Sequence, residues 1–375
     1  MGGGLAQGQG LIMFLQAILP FVGILIGLIV AHELGHFVVA KLTGVRVVEA
    51  GLGYPPRIWG KEFRGTIYSI NALPLGGFVR MLGEEDPSDR DSLAAKPAWA
   101  RLLVLGAGSG MNFALPFVLF TISFMIPRDV PVGLTQIAQV MDNSPAQEAG
   151  LKEGDVIFAI NGHKVRNVQE VGTQIRLNLG ETVTMRVRSG PEFIEVPVHA
   201  RWSSPAYIDE EGKEQRQGPT GIMIATLYPG MTESESFPLW EAFPKSINMT
   251  FQVLTLARNE FISWFKGGGS PQVAGPVGIA QVTGEVVEEE GYRPLLDFAA
   301  LLSINLAIIN ILPLPMLDGG RIVFVLLEVV RRGKRIAPEK EAMVHFIGLT
   351  LIIALAIVIT YFDVLRVLRG ESLFR

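Results

Sequence analysis

Cysteine is absent from the 375-residue chain. That excludes disulfides, thiolate metal ligands and a cysteine nucleophile, so any metal must be held by histidine and carboxylate. Histidine is scarce too, at five residues. The net charge of -4 argues neither for nor against nucleic acid, and no basic tract suggests it. Charge as a whole is thin: 18% of residues against 49% hydrophobic. This balance fits membrane spans joined to a soluble portion, because a chain buried throughout would carry fewer charges. No basic n-region precedes the first apolar run, which is therefore expected to be a retained anchor.

What is present is concentrated. Leu11 to Ala31 carries no charge, and His32-Glu33-Leu34-Gly35-His36 follows directly. HExxH on a helix puts two imidazoles one turn apart on one face, with a carboxylate beside them suited to taking a proton from water. Ionisable groups in an apolar span are costly and usually functional, which points to zinc chemistry inside a bilayer. A soluble zinc enzyme would have no use for so long an apolar lead-in. An intramembrane metal transporter stays open, since His and Asp also line ion paths.

Apolar runs predict four spans: Leu11–Lys41, Leu102–Ile126, Pro294–Leu314 and Val344–Val364. A polar, strand-rich segment of roughly 100 residues separates the second from the third. The stretch Leu239–Phe265, which mixes Lys245, Arg258 and Glu260 with aromatics, is expected to lie in the interface. The predicted parts are 1–127, with the HELGH span, a hairpin link and the second span; 128–228, a soluble domain; 229–293, an amphipathic linker; and 294–375, the last two spans.

Charge predicts the orientation. The first link contains Arg57, Lys61, Arg64 and Arg80, with acidic residues mixed in, and the link after span three contains Arg331, Arg332, Lys334, Arg335 and Lys340. The positive-inside rule puts these links in the cytoplasm and both termini and the central domain outside. His32 and His36 then lie roughly 8–14 Å from the cytoplasmic end of span one. Span three ends at the same side in Asn310-Ile-Leu-Pro313-Leu-Pro315-Met-Leu317-Asp318-Gly319-Gly320. Alone, Asp-Gly-Gly is a turn signal. Here two prolines break the helix at membrane depth, where irregular backbone must line a cavity or be buried in protein, so Asp318 is a candidate third ligand.

Together, HELGH in a first span, Asn-x-x-Pro-x-Pro-x-Leu-Asp-Gly-Gly in a third, Pro74-Leu-Gly76-Gly77-Phe-Val-Arg-Met81 in the first link, Gly108-x-x-x-Asn112 in span two and Gly275-Pro276-Val277-Gly278-Ile279 make the chain similar to the site-2 protease family. More narrowly, it resembles the bacterial regulator-of-sigma-factor protease branch. The resemblance implies a polytopic α-helical membrane protein of about four transmembrane helices, a membrane-associated β-hairpin and an inserted α+β PDZ domain. It implies zinc held by His32, His36 and Asp318, Glu33 as the general base, and single-span membrane proteins as substrates in the bacterial inner membrane. Asn112 and Asn310, with Gly76 and Gly77, are the candidates for handling substrate backbone.

The central domain has its own signals. Ser144-Pro145-Ala146-Gln147 reads as a capped helix start, Gly150 as its stop and Asn161-Gly162 as a hairpin turn. This pattern resembles one PDZ domain, from about Val130 to Ala225, which would hold peptide C-termini by strand addition or filter substrates by size, and a membrane scaffold bearing that domain stays open beside the transporter. The polar insert Ser203–Gln217 is expected to be a mobile loop. His163, His199 and His345 invite no ligand role. Thr66–Asn71 and Phe78–Leu82 are expected to pair across a Leu73–Gly77 turn, with Ile67–Ile70 as a free edge for substrate.

Overall fold

The computed structural model describes residues 3–84, 86–208, 212, 214–268 and 274–369. The chain divides into two compact units, Met1–Ser123 with Val273–Arg375, and Phe124–Gln272. In the first, α1 (Gly3–Leu42) contains the charge-free run and ends in HELGH and the six residues after it. A helix satisfies its backbone polar groups internally, the requirement for crossing lipid. β1 (Val47–Phe63) and β2 (Thr66–Met81) follow, then α2 (Ala98–Met125).

The strands differ from the expected hairpin. β1 and β2 turn at Arg64 and Gly65, both at positive φ, and each folds back on itself. Residues 49–52 pair with 77–80 on one side and 67–70 on the other, while 59–62 take the second side of 67–70. Ile67–Ile70 is therefore an interior segment, and the segments paired on one side only are 59–62 and 77–80. The local alternation of Thr66–Asn71 was compatible with either placement, because it reports a half-buried strand and not its neighbours. Glu49 pins the layer: Arg57 donates to its Oε1 at 2.6 Å and Arg80 to Oε2 at 2.8 Å. Burial opposes its ionisation, but the Ser69 hydroxyl and both guanidiniums hold the carboxyl below the usual range. Ile58, Trp59, Phe63 and Leu73 stay exposed on this layer.

The second unit begins with β3 (Arg128–Pro131), paired to β12 (Thr232–Glu235). Its core sheet runs β11-β4-β5-β7-β8, from β4 (Leu134–Val140), β5 (Val156–Ile160), β7 (Thr182–Ser189), β8 (Glu192–His199) and β11 (Ile222–Leu227); β6 (His163–Lys164) pairs with β5. Two helices, α3 (Pro145–Glu148) and α4 (Val168–Leu177), complete it around buried Ile137, Ile157, Ile160, Val171 and Met185. Ser144 accepts the Gln147 N–H, and the Gln147 side chain returns to the Asn143 N–H at 2.8 Å. Where a mobile loop was expected, β9 (Ala206–Ile208) and β10 (Glu214–Arg216) form a small ribbon; the tip of that insert lies outside the described residues. α5 (Leu239–Phe265) is tied to the sheet unit by Asn259, whose Nδ2 donates to the carbonyls of Arg176 and Leu177 at the end of α4.

The chain returns to the first unit through α6 (Pro276–Glu290), α7 (Leu295–Ile311), α8 (Asp318–Val330) and α9 (Pro338–Leu368). Asp363 of α9, fully buried, accepts the N–H groups of Gly275 and Gly278 at 2.9 and 2.8 Å. A carboxylate at a helix N-terminus meets unpaired donors and the positive end of the dipole, and a Cβ on Gly275 would lie 2.8 Å from Oδ2 of Asp363. Among the described residues three helices are long and apolar enough to cross a membrane: Ile18–Leu42, Ala98–Met125 and Pro338–Leu368. α7 is apolar but has 17 residues, about 25 Å against a hydrocarbon core of about 30 Å.

Candidate metal centre

His32 and His36 lie one turn apart on α1, their rings edge to face at 4.8 Å between centroids. Asp318 arrives as the first residue of α8. Pro313 and Pro315 stop α7, Met316 takes φ 74°, and its N–H donates to Nδ1 of His345 at 2.9 Å. A Cβ on Gly319 or Gly320 would collide with the carbonyls of Ile311, Leu312 and Leu314. The two glycines thus let the proline turn lie on the first turn of α8 and aim Asp318 back at α1.

The three side chains converge. Nε2 of His32, Nε2 of His36 and Oδ2 of Asp318 stand 3.2 Å from one another on every edge. Zinc with nitrogen and oxygen ligands at 2.0–2.2 Å in tetrahedral array requires edges of about 3.3–3.5 Å. Oδ2 of Asp318 is buried yet accepts no aligned hydrogen bond, as expected of a lone pair aimed at a shared point. Among the described residues this is the one cluster of three or more such groups that could hold a metal.

The distal nitrogens are employed as well. Nδ1 of His36 donates to the carbonyl of Val104 at 2.7 Å, which fixes the tautomer and leaves Nε2 with a free lone pair. Nδ1 of His32 faces the Asn112 amide at 3.3 Å, while Oδ1 of Asn112 is buried without a partner. A half-turn of that amide satisfies Oδ1 and gives His32 the same tautomer as His36. Gly108, one turn before Asn112 on α2, touches both rings: a Cβ there would collide with Nε2 of His36 and fall 2.6 Å from Nε2 of His32. Gly35 likewise admits the Ala107 carbonyl against α1.

Glu33 faces a different neighbour. It lines an apolar cleft of about 290 Å³ between α1 and the β1–β2 layer. The Val79 backbone N–H reaches its carboxylate. Gly77 packs against it, since a Cβ there would lie 3.5 Å from Glu33 Cγ. Gly76, at φ 115°, turns the backbone beside the ring of Tyr54. Of the eight candidates, His32, His36, Asp318, Glu33, Asn112, Gly76 and Gly77 gather here. Asn310 is half-buried in the last turn of α7 and makes no side-chain hydrogen bond among the described residues. Gly108 and His345 are the additions: the first was visible as a motif without a role, and the second had no local signal.

The chain matches the model of peptidase family M50 over residues 20–355. It is similar to a Clostridium perfringens protein with a zinc-metalloprotease name, at 33% identity covering 90% of this chain and 95% of the relative. Similar too is the regulator of sigma-W protease RasP of Bacillus subtilis, at 29% identity with 94% and 99% covered. A solved PDZ domain of an SdrC-like protein from Listeria monocytogenes resembles 26% of this chain and 92% of its own length, at 23% identity and a TM-score of 0.19. With the family model matched along most of its length, the chain belongs to peptidase family M50, the site-2 proteases, and is a zinc-dependent intramembrane protease.

Proposed function

We propose that the chain cuts the transmembrane segments of single-span membrane proteins, with anti-sigma factors and remnant signal peptides as the substrate types, at a zinc site made by His32, His36 and Asp318. The single observation that supports these ligands is the 3.2 Å triangle of their donor atoms. Bound there, the metal supplies Lewis acidity to water and to a carbonyl oxygen. Glu33 takes the proton from the attacking water and returns it to the leaving amine. The Val104 carbonyl and Asn112 hold the two imidazoles in the tautomer that presents Nε2.

A helical substrate hides its carbonyls in its own hydrogen bonds and must unwind before attack. The 77–80 segment gives the unwound stretch a place to pair, because its second edge is free of β-pairing and lies beside Glu33. Asn310 at the end of α7 is the further candidate for holding exposed backbone. α7 acts as a fourth, shortened span. Both termini and the sheet unit 124–272 lie outside a bacterial inner membrane, with the site near the cytoplasmic face. The sheet unit serves as a PDZ domain that admits substrates of small outer domain and takes peptide C-termini.

Asp318→Asn tests the ligand set. The variant, purified in detergent, should lose stoichiometric zinc by elemental analysis while keeping its helical circular dichroism. One zinc per chain at near-parental affinity would show that another group is the third ligand. Glu328 is no substitute, since it is bound to Arg101 and Arg335. Zinc flux into liposomes carrying the parent would revive the transporter.

A further inference from the structure

A second polar cavity, of about 400 Å³, lies within the 124–272 unit and has no part in the metal centre. Residues of β3, β12, the residue before the α4 N-cap and the first half of α5 line this open cavity, with Phe124 and Phe237. Arg128, Arg166 and Lys245 bring cations to its wall, Glu235 a carboxylate, and Asn248 and Gln252 neutral amides. The charges are unequally matched. Arg166 is paired closely with both Glu235 and Glu170. Arg128 reaches Glu235 only at 3.7 Å, and its Nε is buried without a hydrogen-bond partner. Lys245 has no carboxylate partner among the described residues; its Nζ lies 4.2 Å from the centre of the Phe237 ring. Two cations and two amides therefore face the cavity with spare donors, a set that suits an anion with several oxygens.

Position narrows the anion. The membrane helix α2 ends at Met125, so Arg128 stands three residues past the end of a span. The start of α5 leaves Leu239, Trp240 and Phe243 exposed, at 57%, 76% and 49%. At about 100° per residue, the sector of Trp240, Phe243 and Phe251 is centred roughly 125° from that of Lys245, Asn248 and Gln252. A helix lying in the interface with the first sector among acyl chains presents the second to the headgroups. We propose that this cavity binds the phosphodiester headgroup of an anionic phospholipid, with Arg128 and Lys245 as its cationic partners and Asn248 and Gln252 as neutral ones. The proposal rests on the interfacial placement of α5 and is independent of the catalytic assignment. A free phosphate offers the same oxygens, but it would have no use for an aromatic sector beside the site.

Native mass spectrometry of the full chain in neutral detergent tests it, with phosphatidylglycerol and phosphatidylcholine as probes. The parent should retain phosphatidylglycerol in preference to phosphatidylcholine, and millimolar inorganic phosphate should not displace it. Each cation near a headgroup is worth about fivefold in affinity, so Arg128→Gln or Lys245→Gln should each cost roughly that, and both together ~25-fold. Parental retention by a double variant with a parental thermal melt would overturn the site; displacement by inorganic phosphate would make it a free-anion site and overturn the lipid. Should the double variant melt early, Lys245→Glu breaks no ion pair and is read instead: loss of phosphatidylglycerol is expected, and unchanged retention overturns the proposal. Zinc content is measured in the same samples and should stay at the parental value. A failed catalytic reading thus appears in zinc and cleavage, and a failed lipid site in lipid mass alone.

Discussion

Gly108 is where the metal centre tolerates least added volume. A methyl group there has nowhere to go but the two imidazole rings that it faces, and overpacking a fixed cluster costs about 1–3 kcal/mol even without a metal to misplace. Gly108→Ala should therefore cost most of the bound zinc, and cleavage with it. Gly110 on the same helix has nothing within 4 Å of its Cβ position. Gly110→Ala should keep zinc and activity, and elemental analysis of the pair separates a site-specific clash from a general loss of helix flexibility. That His32, His36 and Glu33 would lie together was legible in the sequence, because one helical turn brings them together. Gly108 and His345 were not: their roles depend on α2 meeting α1 and on α9 meeting the proline turn, contacts between residues far apart in the chain.

Among the elements, the β1–β2 layer carries the sharpest departure from the expected pattern. Thr66–Asn71 alternates as a strand should, but the alternation could not report that residues 49–52 and 59–62 would occupy both its edges. Of the two outer segments, 59–62 and 77–80, the second lies beside the site, and its Val79 N–H reaches Glu33. Val79→Pro deletes that donor, and removing one such hydrogen bond should lower cleavage of a helical substrate roughly 5- to 30-fold with zinc retained. Proline at Ile67 to Ile70 should instead disrupt a doubly paired segment and reduce folded yield. Equal cleavage by Val79→Pro and the parent would show that the Val79 N–H has no part in holding Glu33 for the reaction. The Gly275–Gly278 segment teaches the same limit: its glycines were evident, whereas the buried carboxylate that receives their N–H groups belongs to α9, some 85 residues later.

At the level of the whole molecule, three of the four expected spans coincide with helices long and apolar enough to cross a membrane, since apolar runs of this length have few alternatives, whereas the run after Pro294 forms a 17-residue helix. Their orientation rests on the positive-inside rule and can be measured with the chain's own chemistry. Because cysteine is absent, single cysteines report position without background. Lys164 lies exposed in the sheet unit and Lys334 in the basic link before α9. A membrane-impermeant maleimide added to intact spheroplasts should label Lys164→Cys and should reach Lys334→Cys only after lysis. The reverse pattern would invert the topology and place the site near the opposite face.

The central claim, a zinc-dependent protease in which Glu33 moves the proton and does not hold the metal, is tested most directly by Glu33→Gln. The full chain is purified, its zinc counted, and cleavage of a co-reconstituted single-span substrate followed by the appearance of fragments. Zinc should remain at one per chain while cleavage falls by about 10²–10⁴, the contribution of a positioned general base. Parental cleavage by Glu33→Gln would contradict the account, and loss of zinc from it would make Glu33 a ligand.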